Sequence, residues 1–220
     1  MNKWGKKLIS EKELPGNFIR FYTVGFILFL LPFTRELFIS ITALSLILVI
    51  GVVFYYQKEW NLKILLFFSF IIVASFLLEM AGTTTGKIFG TYRYERGLGP
   101  ELNHTPLLIG LNWLFLTYAS HDWANRLSGT SFIRIFIGTS FMISYDLLLE
   151  WVAPYMQMWR FDSPYPPLRN FIAWFIASFV FQSGFEIFQI YTDNRPARML
   201  FVIQGGFFLM IGIYSSLFLS

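Results

Sequence analysis

The sequence predicts an all-α fold: a polytopic bundle of about seven transmembrane helices forming one integral membrane domain over residues 1–220, with a cytoplasmic N-terminus. Three observations predict it. Of 220 residues, 55% are hydrophobic and only 14% charged, where a soluble domain carries about 25% charge, and the mean hydropathy is +0.56. Apolar runs recur at the roughly 20-residue length that a helix needs to cross a ~30 Å hydrocarbon core. Lysine and arginine divide unevenly between alternate connections, eleven on the N-terminal side against six on the other, and that excess marks the cytoplasmic face.

Residues 1–17 read as a basic cytoplasmic tail with Lys3, Lys6, Lys7 and Lys12 and no apolar stretch before Phe18, so no cleavable signal peptide is expected. Apolar runs between charged or Gly/Pro-rich breaks then place the spans. The first two are 18–33 and 36–56, parted by Thr34 and Arg35. The third, 62–81, follows the Lys58, Glu59 break and ends near Gly82. The fourth, 105–121, opens at Pro106 and closes at His121 and Asp122. The fifth, 131–150, follows Ser128 and Gly129, the sixth, 170–189, follows Pro166 and Pro167, and the last, 198–218, follows Asp193 to Pro196.

Composition also excludes chemistries. With no cysteine, there is no disulfide framework, thiolate metal site, iron–sulfur cluster or cysteine nucleophile. Two histidines, His104 and His121, are too few for the multi-histidine di-iron sites of membrane desaturases, and neither lies at a span centre to hold a haem. No Walker pattern or Asp-rich diphosphate motif is present. The net charge of +4 is a topology signal and calls for no nucleic acid. No metal and no cofactor is expected, and what remains is acid/base work on an apolar molecule.

Two long connections, 82–104 and 151–169, fall on the outer side. They carry Tyr92, Tyr94, Trp151, Tyr155, Trp159, Phe161 and Tyr165, which suit either an interfacial aromatic belt or a functional loop. An ionisable group inside a span is costly and is a functional candidate by default. Glu79 ends the third span and Asp146 and Glu150 end the fifth, all on the outer side, where Asn103, His104, Arg169 and Asn170 begin the neighbouring spans, so one polar cluster can form. Asp146 and Glu150, spaced i, i+4, share a helix face; held close in low dielectric they are expected to share a proton. Glu186, near Tyr191, Asp193 and Arg195, reads as an interfacial salt bridge. Gly82, Gly86 and Gly90 after Glu79 read as a close-packing helix face or a re-entrant turn.

The residues Glu79, Gly82, Thr85, Gly86, Phe89, Gly90, Tyr92, Tyr94, Gly99, Pro100, Pro106 and Trp113 resemble a signature of the carotenoid biosynthesis membrane-protein family that includes the carotenoid 1,2-hydratases. A second block, Asp146, Leu147, Glu150, Trp159, Phe161, Pro167, Asn170 and Trp174, resembles the D-L-x-x-[DE] helix end and the W-x-[WF] and N-[FYW]-x-x-W elements of that family. The blocks occupy residues 79–113 and 145–175; the chain departs from the pattern at Trp151, where a proline is expected and Pro154 stands three residues later.

The resemblance implies a cofactor-independent hydro-lyase that adds water across the terminal C1=C2 bond of an acyclic isoprenoid end such as that of lycopene. Asp146, Glu150 or Glu79 would protonate C2, and a second, ionised carboxylate would take the proton of the water. Aromatic faces stabilise a desolvated cation, and Tyr92, Tyr94, Trp113, Trp159 and Trp174 are the candidates, while Asn103, Asn112 and Asn170 would position water. Gly82, Gly86, Gly90, Pro106 and Pro167 would shape the motif. Expected partners are the polyene, water, the lipid bilayer, expected to be a bacterial inner membrane, and other enzymes of carotenoid synthesis; the oligomeric state stays open. The rivals are an end-group cyclase or isomerase, which shares the proton-initiated cation, a carotenoid-binding scaffold, and a transporter, which should show repeat symmetry and acids near the midplane.

Overall fold

The computed structural model describes residues 10–219. Seven helices follow one another: α1 Leu14–Leu30, α2 Pro32–Tyr55, α3 Leu62–Thr85, α4 Leu108–Leu127, α5 Ser131–Val152, α6 Leu168–Ile187 and α7 Arg195–Phe218. Four short strands lie in the two long connections: β1 Tyr92–Tyr94, β2 Glu101–Leu102, β3 Thr105–Pro106 and β4 Trp159–Phe161. The chain is an all-α membrane bundle, as the sequence predicts. Lys3, Lys6 and Lys7 of the expected tail lie outside the described residues, and α1 takes in Leu14 to Asn17, which the tail was expected to hold.

The helix ends have local causes. Leu31 is extended (φ −81°, ψ 120°), as the residue before a proline is biased to be, and Pro32 then opens α2 in the first-turn position where its missing N–H costs nothing. One residue therefore separates two helices that charge patterning had set apart at Thr34 and Arg35. Asn61 caps α3 by accepting from Ile64 N at 2.9 Å, and Asn194 caps α7 by accepting from Ala197 N at 3.1 Å. Gly86 ends α3 in the left-handed region (φ 63°), a conformation that glycine adopts without steric cost.

Helix α4 differs most from its expected bounds. It starts at Leu108 because Thr105 and Pro106 are drawn into the β2–β3 hairpin, and it continues to Leu127 past His121 and Asp122. Five helices, α2, α3, α5, α6 and α7, are by themselves long and apolar enough to cross a membrane; 24 residues span about 36 Å. The 17-residue α1 is shorter. Helix α4 is less apolar than these five and is the axis of the bundle: 14 of its 20 residues are buried, packed against α2, α3, α5, α6 and α7.

Helices α5 and α6 run antiparallel in a register fixed along their length by Arg134 with Glu186, Gly138 with Gln182, and Glu150 with Asn170. The first of these pairs lies at the end opposite the long connections. The last lies directly beneath them.

Candidate active site

Glu79 sits near the end of α3 and is 3% exposed. Past Gly86 the chain folds back along the helix, which it can do because Gly82 presents no side chain: a Cβ there would lie 2.4 Å from the Phe89 ring. This return brings Tyr92 and Tyr94 over Glu79. The same loop meets the second long connection, where β1 and β4 form a two-stranded antiparallel ribbon pairing Tyr92 with Phe161, Arg93 with Arg160 and Tyr94 with Trp159. Side chains alternate across such a ribbon. Its inner face is therefore aromatic, with Tyr92 and Phe161 ring centroids 5.2 Å apart and Tyr94 and Trp159 6.2 Å apart. Its outer face carries Arg93 and Arg160, which pair with Asp162 and Glu95 at 3.5 Å.

The ribbon is a lid fastened to the carboxylates. Glu79 Oε2 accepts from the hydroxyls of Tyr92 at 2.6 Å and Tyr94 at 2.9 Å, and Oε1 accepts from Trp113 Nε1 at 2.9 Å. Burial, and then the Glu79 charge, push the Tyr92 and Tyr94 hydroxyls well above the ordinary tyrosine pKa, so both remain O–H donors. On α5, Asp146 and Glu150 face α6, and Asn170 Nδ2 donates to Asp146 Oδ2 at 3.3 Å and to Glu150 Oε1 at 3.1 Å. Trp159 Nε1 of the ribbon donates to Glu150 Oε2 at 3.0 Å. Asp146 is fully buried, and its Oδ1 has no hydrogen-bond partner. Below them Trp113 and Trp174 stack at 3.9 Å and 21°.

These groups enclose a cavity of about 20 Å³ lined by Glu79, Glu150, Asn170, Tyr92, Tyr94, Trp159 and Trp174, with Phe89, Ile109 and Phe161. That volume suits one water molecule. Of the expected site residues, Glu79, Asp146, Glu150, Tyr92, Tyr94, Trp113, Trp159, Trp174 and Asn170 thus converge at one place. Two do not. Asn103 is exposed at the tip of the β2–β3 hairpin with φ 49°, its amide donating to Met80 Sδ at 3.6 Å. Asn112 is half-buried on α4 and does not line the cavity. His104 and Arg169, expected in the same polar cluster, are exposed. Phe89, Ile109 and Phe161 were missed as lining residues; for Phe161 the signal was its two-residue spacing from Trp159.

The three glycines do not share one helix face, because α3 ends at Gly86 and Gly90 lies in the connection beyond it. Gly82 is a close-packing position, Gly86 turns the chain, and Gly90 (φ 111°) lies so near Pro167 that a Cβ would come within 2.6 Å of its ring. Pro106 is buried opposite Glu101.

At the other end of the bundle, Glu186 does form a salt bridge, but with Arg134 of α5 at 2.6 and 2.5 Å rather than with the 191–195 loop. His121 Nδ1 lies 3.0 Å from Gln182 Oε1. Gln182 Nε2 donates to Thr117 O and Ser120 Oγ, which leaves Oε1 as the acceptor toward His121 and favours the tautomer with its proton on Nδ1. Asp122 pairs with Arg198 at 2.5 Å. Among the described residues no group of three or more His, Asp or Glu side chains is arranged to hold a metal ion. An apolar cleft of about 300 Å³ between α1, α2 and α7 shares no lining residue with the acid cluster.

The fold and the site define an integral membrane protein whose buried carboxylates are roofed by an aromatic ribbon. The chain belongs to the carotenoid biosynthesis protein family, whose model matches residues 38–218. No curated protein and no solved structure matches it.

Proposed function

We propose that this protein hydrates the terminal C1=C2 bond of an acyclic carotenoid end group, within the role in carotenoid biosynthesis that its family carries. The observation that supports the reading is the one-water cavity bounded by two separately held carboxylates, Glu79 and Glu150, and by aromatic faces. Both oxygens of Glu79 are occupied by donors, which suits a fixed negative charge. Glu150 borders the cavity and is backed by Asp146 through Asn170, which suits a proton donor.

In this reaction the Glu150 carboxyl gives its proton to C2 as the C1=C2 π bond breaks, leaving a tertiary cation at C1. Glu79 and the faces of Trp174, Tyr92 and Tyr94 stabilise that cation; a desolvated cation–π contact is worth about 2 kcal/mol. Water adds through oxygen to C1, and its spare proton returns to the carboxylate, so the acid is regenerated and the net change is one water added. The cavity as it stands admits water and not an isoprenoid end. Entry of the end group therefore requires the ribbon to lift from the helices, and the polyene would lie between helices in the bilayer.

Expression in a lycopene-accumulating bacterial host tests the assignment by chromatography and mass spectrometry of the pigments. A product heavier by one water with an unchanged polyene spectrum is expected, because the isolated terminal bond lies outside the chromophore. An isomer of unchanged mass with a shifted spectrum would replace hydration by ring closure. Glu150→Gln is expected to abolish the product, and unchanged product in Glu150→Gln, Asp146→Asn and Glu79→Gln alike would refute the acid mechanism.

A further inference from the structure

Hydration consumes one water in each turnover, and the cavity beneath the ribbon has room for about one, so the site must be refilled from outside the bundle. On the lid side a vestibule of about 390 Å³ opens between the end of α5 and the segment that follows β4. Glu150, Trp159 and Phe161 line both this vestibule and the cavity, so the two spaces share a wall. Of the three acids, Glu150 alone belongs to that wall. It is half-buried, whereas Asp146 and Glu79 are 0% and 3% exposed. Its oxygens divide accordingly: Oε1 takes the hydrogen bond from Asn170 inside the bundle, and Oε2 takes the one from the Trp159 indole in the shared wall. Arg160 and Ser163 supply polar surface to the vestibule.

We propose that this vestibule is the port through which water and protons reach the acid cluster from the lid side, with the Glu150 carboxyl at its floor. The need for a port rests on the hydration reading, while its geometry stands without it. Water enters past Arg160 and Ser163, exchanges protons with Glu150 at Oε2, and passes the Trp159 edge into the cavity. Asp146 and Glu79 have no such route and exchange only through Glu150 or after the ribbon lifts.

The test uses the full chain in sealed membrane vesicles of both orientations, treated with a membrane-impermeant carbodiimide and a soluble amine. The carbodiimide activates an accessible carboxyl group, the amine displaces it to form an amide, and the reagent leaves as its urea. Peptide mass spectrometry then locates the adducts, with Glu150→Gln as the control for assignment. Glu150 is expected to be modified from the lid side several-fold more than Asp146 or Glu79. Ser163→Trp, which narrows the vestibule at a residue outside the acid cluster, is expected to cut both that modification and the hydration rate several-fold, and Ser163→Ala neither. Modification of Glu150 only from the opposite side, or undiminished modification in Ser163→Trp, would overturn the port. Loss of hydrated product from the unsubstituted protein with this labelling pattern intact would instead overturn the reaction and leave the port in place.

Discussion

Gly82→Ala is a single methyl group placed where the lid meets the bundle. The new Cβ would lie 2.4 and 2.8 Å from two ring carbons of Phe89 and 3.4 Å from the Tyr92 hydroxyl, where carbon pairs rest at about 3.5–4.0 Å. The ring must therefore retreat by about 1 Å or more, and Phe89, 1% exposed, has little space to retreat into. Overpacking of this kind costs about 1–3 kcal/mol. Tyr92, three residues on, moves with it, and its 2.6 Å bond to Glu79 is stretched toward the limit of a hydrogen bond; a bond to a charged group is worth about 1.5–3 kcal/mol. Alanine regains about 0.5–1 kcal/mol as the better helix residue. The net expectation is a loss of about 2–4 kcal/mol, which thermal unfolding in detergent should report as a midpoint lowered by roughly 5–15 °C. Displacing the lid by about 1 Å should also lower product formation by about 10²-fold. Gly51→Ala is the control, because nothing lies within 4 Å of its Cβ, and it should leave both readings unchanged or raise the midpoint slightly. If Gly82→Ala behaves like Gly51→Ala, the lid is not seated on α3 as described.

Other perturbations separate the acid site from the frame that carries it. Trp113→Phe keeps an aromatic ring against Trp174 but removes the donor to Glu79 Oε1, so stability should fall by about 1.5–3 kcal/mol in the same unfolding assay. Glu186→Gln leaves Arg134 without its charged partner at the far end of α5 and α6; about 1–3 kcal/mol of stability should be lost while the product pattern stays that of the unsubstituted protein. Asp193 accepts from Lys58 at 2.5 Å and Arg126 at 2.9 Å, and the Lys58 contact above all holds its pKa down at about 2, below the 3.8 of an ordinary aspartate. A carboxyl depressed in the folded state stabilises it above the unfolded value and loses that contribution as pH falls through the folded one. Asp193→Asn should therefore lower the unfolding midpoint equally at pH 7 and pH 5, and the difference from the unsubstituted protein should shrink only between about pH 4 and pH 2.

What the sequence could show of the site follows from whether each contact is local. Asp146 and Glu150 share a face by helical spacing alone, and Asn170 completes their network because α5 and α6 are consecutive helices packed in antiparallel register. Glu79 stands out as a charge inside an apolar run. The pairing of β1 with β4 leaves no such trace. Three residues in each of two loops, more than sixty positions apart, find each other through an alternation of aromatic and arginine side chains that is equally consistent with an interfacial belt. The two asparagines that failed did so for a related reason. Asn103, expected at the start of the fourth span, is carried outward by a left-handed hairpin tip, and the half-buried Asn112 of α4 does not turn into the cavity. Neither direction is encoded in spacing along the chain.

Helix α4 carries the same argument to the scale of the fold. Hydropathy reports which residues meet lipid, and α4 meets other helices on nearly every side, so its composition is free to be polar where a lipid-facing helix is not. That freedom is used at low cost, because its side chains close hydrogen bonds on the backbone around them: Thr117 Oγ1 donates to Trp113 O at 2.7 Å and Ser120 Oγ to Leu116 O at 2.6 Å, while Gln182 of α6 satisfies the next turn. A buried polar group so paired adds little to the cost of insertion, whereas an unpaired one costs about 1–3 kcal/mol. The axis of the bundle is consequently a polar helix that places Trp113 beneath Glu79 at one end and Asp122 against Arg198 at the other.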